Sequence, residues 1–119
     1  MTADDFRRIA LSFPEAEERA HMNHPDFRVG GRIFATLGYP TAEIAMVRLS
    51  PALQKTYVSG HPKMFRPVPG KWGEQGCTHV LLQSATPQPV KSALGEAWKI
   101  ATDLGPTRSA AKSKSKTKR

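Results

Sequence analysis

The chain has 119 residues, 18 Lys and Arg against 10 Asp and Glu, and a formal net charge of +8. That length fits one domain, and no apolar run approaches the roughly 20 residues that span a bilayer. The opening MTADDFRR carries acids and then bases with no apolar segment, so it does not read as a secretory signal. A lone Cys77 has no partner for an internal disulfide, and the two features together predict a cytoplasmic protein.

The charge is unevenly spread. Residues 106–119 hold Arg108, Lys112, Lys114, Lys116, Lys118 and Arg119 and no acid, leaving 12 basic and 10 acidic side chains in residues 1–105. A stretch with no hydrophobic side chain larger than alanine cannot offset the entropy of ordering its backbone. The expected organisation is a domain over 1–105 and a disordered basic tail over 106–119. Lysines alternating with Ser and Thr make a hydrated polycation that can lie along a phosphate backbone and release counterions. A purely solubilising tail is the plainer alternative. An anionic membrane surface would need a second anchor that the sequence lacks.

In chain order, Phe6, Ile9, Ala10 and Phe13 recur at helical spacing and predict a first helix over 3–13. Thr2 and Asp5 have the spacing of a capping box, and Pro14 ends the element. The polar run 15–26 reads as a loop with a short turn. Strand-like runs follow at 27–29 and 32–37, joined by Gly30-Gly31, a two-residue hairpin signal. A third strand is expected over 43–49. Ser50-Pro51 opens a second helix with Ser as N-cap and Pro at the first position, and Gly60 closes it. The Pro/Gly-rich stretch 61–75 predicts one short edge strand near 63–68, and 77–83 predicts another strand. Val90, Leu94, Ala97, Trp98 and Ala101 mark the buried stripe of a last helix over 88–103. The order α-β-β-β-α-β-β-α argues for an α+β fold, an antiparallel sheet of about five strands with helices on one face.

Four segments resemble the MmcQ/YjbR family. His24-Pro25-Asp26-Phe27-Arg28-Val29-Gly30-Gly31-Arg32-Ile33-Phe34-Ala35-Thr36-Leu37 is similar to its hallmark hairpin. Ala10-Leu11-Ser12-Phe13-Pro14-Glu15 resembles its ALSLPG-type opening. Pro69-Gly70-Lys71-Trp72-Gly73 followed by Gly76-Cys77-Thr78 resembles its WG..GWT signature, and Ala97-Trp98 its C-terminal helix. The resemblance covers nearly all of 1–105 and implies a two-layer, secretion-chaperone-like or frataxin-like α+β fold. It also implies DNA binding, the label such proteins commonly carry, without a catalytic residue set. Two features depart from the pattern: Cys77 stands where the family usually has Trp, and the Lys-Ser tail lies outside the family core.

Several constellations are candidates for function. With Phe27, Val29, Ile33, Ala35, Leu37, Ala45, Val47 and Leu49 turned to the helices, alternation turns Arg28, Arg32, Phe34, Thr36, Ile44, Met46 and Arg48 outward. Three arginines among apolar side chains suit phosphates and bases, a second copy of the chain, or simple solvation. A one-residue slip of register would exchange the two faces. Lys63, Arg66 and Lys71 around Phe65 and Trp72 could grip a backbone, although a loop Trp also serves as a core plug. Gly70, Gly73 and Gly76 do not match a nucleotide-binding loop. His21 and His24, with Glu17 and Glu18, lack metal-site spacing, and His24 is expected to hydrogen-bond a loop carbonyl. Cys77 and His79 share a strand face but have no orienting third group.

These observations predict a non-enzymatic, largely sequence-non-specific binder of double-stranded DNA, with no cofactor and no metal. The candidate contacts are Arg108, Lys112, Lys114, Lys116, Lys118 and Arg119 in the tail, and Arg28, Arg32, Arg48, Lys71 and Trp72 in the body. The alternative is a protein-interaction or small-ligand module using the open sheet face, including a homodimer formed through it.

Overall fold

The structure is a computed structural model that describes residues 1–21 and 23–107. The element order is α1 (Ala3–Leu11), β1 (Glu17–His21), β2 (His24–Val29), β3 (Arg32–Leu37), β4 (Ile44–Arg48), α2 (Pro51–Gly60), β5 (Phe65–Pro67), α3 (Lys71–Glu74), β6 (Cys77–Leu81) and α4 (Pro87–Asp103). Six strands form one antiparallel sheet in the order β1-β2-β3-β4-β6-β5. The α+β class holds, with one strand and one short helix more than the sequence predicted.

Local chemistry sets most boundaries. The Thr2 hydroxyl accepts from the Asp5 amide and the Asp5 carboxylate accepts from the Thr2 amide, which closes the capping box of α1. That Thr2 backbone bond, followed by the Thr2 side-chain bond, holds the Asp5 carboxyl below its usual range. The Ser50 hydroxyl caps α2 by accepting from the Leu53 amide, with Pro51 in the first turn. Gly30 and Gly31, with φ of 59° and 80°, make the tight β2–β3 turn. The strand absent from the sequence reading is β1. Its residues Glu17-Glu18-Arg19 are charged and it lies at the sheet edge, where charge discourages pairing with other chains. A strand of this kind shows no hydrophobic alternation.

The core lies between the sheet and α1, α2 and α4. Phe6, Phe27, Phe34, Phe65 and Leu94 are fully buried, each side chain stabilising by about 1.5–3 kcal/mol on burial. Phe6 meets Phe27 edge to face, with ring centroids 6.1 Å apart. Val90, Ala93, Leu94, Ala97 and Ala101 carry α4 onto β2, β3 and β4.

The main correction concerns β3. Phe27 pairs with Ala35, but Arg28 pairs with Ile33, so Phe34 is an extra residue in a β-bulge. Phe34 and Ala35 both turn into the core, and the alternation reverses on the Gly31 side of the bulge. Ile33 therefore reaches the open face. Arg32 goes under the helices, where its Nε donates to the Gly105 carbonyl at 2.6 Å. Thr107 donates its amide to Gly30, so the described chain stays tied to the hairpin past residue 105.

Truncating the bulge residue tests this arrangement. Phe34→Ala should destabilise by about 3–5 kcal/mol in urea unfolding, and Ile33→Ala by clearly less. The reverse ranking would mean that β3 runs without the bulge.

Candidate functional site

The sheet face away from α1, α2 and α4 holds a cleft of about 410 Å³. Its floor comes from adjacent strands: Asp26 on β2, Ile33 and Thr36 on β3, Met46 on β4, and Cys77 and His79 on β6. His24, Pro25 and Tyr39 close one end, and Val68 and Trp72 close the other. The lining is mostly apolar with a few polar groups, as in small-ligand sites.

Register explains why these residues meet. Asp26 faces Thr36, Thr36 faces Met46, Met46 faces His79, and His79 faces Arg66 across successive strand pairs. Directly opposed residues project to the same side. Arg48 pairs with Cys77 on the neighbouring row.

The two ends of the face differ electrostatically. On the β1–β2 side, Arg28 bonds Asp26 through two nitrogens, at 2.8 and 3.1 Å. Asp26 is only 2% exposed, and the pair holds its charge within the fold. Glu17 lies beside Arg28 and pairs with Arg19 at 3.7 Å. This end is therefore internally compensated. On the β6–β5 side, Arg48, Arg66 and Lys71 are exposed, and among the described residues none has a carboxylate within ion-pair distance. The Arg48 guanidinium sits 5.9 Å from the centroid of the Trp72 ring, a cation–π distance.

Trp72 is 60% exposed and is not a core plug. The backbone that follows it is packed tightly. A Cβ at Gly73 would overlap the Val68 carbonyl, and one at Gly76, where φ is +109°, would overlap that of Leu49. Gln54 on α2 fastens the same turn by donating to the carbonyls of Gly73 and Cys77, at 2.9 and 2.8 Å. Gly73 and Gly76 thus have a structural job, and the tryptophan just before them stands at the rim of the cleft.

Of the sequence candidates, the structure brings Arg48 against Trp72 and leaves Lys71 exposed beside Trp72 in the chain. It keeps Arg28 on the same face but engaged with Asp26, and it places Arg32 on the opposite face. Arg108, Lys112, Lys114, Lys116, Lys118 and Arg119 lie outside the described residues. His24 packs edge to face on Tyr39 at 5.2 Å, where a carbonyl partner was expected. Asp26 and Tyr39 also line the cleft, and neither is among the candidates from the sequence. For Asp26 the signal was its position two before Arg28 on one strand. Among the described residues no three His, Cys, Asp or Glu side chains converge to hold a metal ion, and no helix is long and apolar enough to cross a membrane.

Two titratable groups on the floor are shifted. Burial pushes the Cys77 thiol up and so keeps it protonated near neutral pH, while Arg48 acts in the opposite direction. Burial, and then the Arg66 charge, lower His79 below its ordinary 6.5. The unfolded chain therefore takes up this proton before the folded one. The stability linked to His79 is complete above about pH 6.5 and declines as pH falls from there through its lowered pKa. In urea unfolding at about pH 7.5 and about pH 5.5, His79→Gln should lose less stability on acidification than the unaltered protein. Equal losses would mean that burial does not hold His79 neutral.

A family model described as YjbR matches residues 11–100. A comparison with curated proteins finds no match. Among solved structures, the Deinococcus radiodurans protein DR2400, a DUF419 domain, superposes with a TM-score of 0.73 at 18% sequence identity. The match covers 94% of this chain and 86% of that one, which makes it a likeness of fold. With the family model spanning most of the chain, from the end of α1 into α4, the protein belongs to the YjbR family.

Proposed function

We propose that the protein binds nucleic acid without chemical turnover, chiefly through phosphate contacts and with little sequence preference. The observation that carries this reading is the Arg48–Trp72 contact, with Arg66 on the same face across β6 and Lys71 next to Trp72 in the chain, all three cations exposed and, among the described residues, without a carboxylate in ion-pair distance. Cations beside an exposed aromatic ring can track a phosphate backbone and stack on a base. The six basic residues of 108–119 add charge to the same chain, and such a segment suits duplex DNA through counterion release. Arg28 and Arg32 take no part in this reading, because each is engaged within the fold.

A specific observation favours a second reading. The open-face cleft is enclosed enough and apolar enough for a small ligand or for a side chain of a partner protein. In that case the cleft would work without the tail, and the tail would serve solubility.

Fluorescence anisotropy with a generic duplex of about 20 bp separates the two, comparing the full chain, a 1–107 truncation and an Arg48→Ala/Arg66→Ala/Lys71→Ala variant. The nucleic-acid reading predicts steep salt dependence for the full chain. Each neutralised phosphate adds roughly 0.9 to the slope, so the six tail cations contribute up to about 5. The triple variant should bind more weakly at every salt concentration. No binding by any of the three would leave the small-ligand or partner reading.

A further inference from the structure

The phosphate-binding role of the rim leaves the floor of the cleft without a task. Asp26, Thr36, Met46 and His79 follow one another across four strands. At about 4.8 Å between strands, that row runs roughly 14 Å. It carries acceptor and donor groups in a set pattern. The two Asp26 oxygens each accept from Arg28, and each retains a lone pair. The Thr36 hydroxyl can donate or accept. His79, its pKa lowered by burial, offers one ring nitrogen as donor and the other as acceptor. Ile33, Met46 and Trp72 supply apolar walls.

A flat heterocycle with donors and acceptors on its edge and apolar faces fits this combination. At about 410 Å³ the cleft is at the small end of ligand sites, enough for one such ring. Opposite two of its lining residues, Cys77 and His79, stand Arg48 on β4 and Arg66 on β5, two cations with no carboxylate partner among the described residues, which suits an anion attached to that ring. A base in a duplex hides its faces in the stack and its pairing edge in the partner strand. Only an unstacked base can present both.

We propose that the cleft accepts one unstacked nucleobase and that Arg48 and Arg66 receive the attached phosphate. This rests on the nucleic-acid reading and narrows it: the cleft takes a base only from a single strand, while a duplex meets the rim cations and the tail through its phosphates alone. The same chemistry, a base with its phosphate, could come from a strand or from a free nucleotide, and the test separates the two.

Binding by the full chain is measured at near-physiological salt with four probes: a labelled oligothymidylate of about 12 nucleotides, an abasic strand of equal length, the corresponding duplex, and thymidine monophosphate read by quenching of Trp72. Trp98 stays as a constant background, stacked on Phe13 and hydrogen-bonded to the Pro14 carbonyl. The oligothymidylate should bind about tenfold or more tightly than the abasic strand of equal charge, and Trp72→Ala should remove most of that difference. Thr36→Phe fills the cleft while sparing the rim cations. It should remove the difference too, with abasic-strand binding and the far-UV circular dichroism spectrum unchanged.

Equal affinity for thymidine and abasic strands, or unaltered oligothymidylate binding by Thr36→Phe, would overturn the proposal while leaving charge-driven binding in place. Quenching by thymidine monophosphate as tight as that by the strand would support the base pocket, identify the free nucleotide as its ligand, and defeat the nucleic-acid reading instead. Binding of none of the four would defeat both.

Discussion

Phe34 is one residue more than β3 needs to pair with β2, and the makeup of the open face follows from where that residue goes. Its ring is fully buried, and taking it back out of the core would cost a few kcal/mol. The bulge is thus held by the hydrophobic core. Its effect on charge is indirect but large. Arg32 turns beneath α4 and bonds the Gly105 carbonyl, while Ile33 takes an outward place and lines the cleft. Arg28 stays outward but is tied to Asp26. Three arginines that look equivalent along β2, β3 and β4 therefore have three different surroundings: Arg28 holds a carboxylate, Arg32 a carbonyl, and Arg48 lies against Trp72 with no carboxylate partner among the described residues.

A second constraint positions the other half of the site. The α3 turn approaches the Val68 and Leu49 carbonyls so closely that Gly73 and Gly76 leave no room for a side chain. Gln54 locks that turn to α2 and β6 with two hydrogen bonds. Trp72 rides on this fixed backbone beside Arg48. The indole is thus presented by a rigid support, which limits the conformational entropy lost when a ring stacks on it. Core packing through Phe34 and backbone packing through the two glycines converge on one cleft from opposite sides.

The ordered elements were legible wherever local chemistry was strong. Thr2 and Asp5 announced α1, Ser50-Pro51 announced α2, Gly30-Gly31 announced the hairpin, and the apolar stripe announced α4. Three features were not legible, each for a physical reason. β1 is polar along its length and pairs on one side only, so it has no hydrophobic period. α3 is a four-residue turn set by tertiary packing. The bulge was hidden because Ile33 and Phe34 are both apolar, and alternation alone cannot say which one is buried. The site was half legible for the same reason. Arg48, Lys71 and Trp72 stand out as basic and aromatic residues, whereas the row from Asp26 to His79 exists only once four strands are in register.

In the proposed site, ligand contacts gather on the β4–β6–β5 side of the open face, around Arg48, Arg66, Trp72 and His79. Amide chemical-shift mapping of the ¹⁵N-labelled full chain during titration with oligothymidylate tests it most directly. The largest shifts are expected at Met46, Arg48, Arg66, Trp72 and His79, weaker ones at Asp26 and Thr36, and none along the helix-facing side near Arg32. Shifts confined to residues 108–119, or centred on α1 and α4, would contradict it.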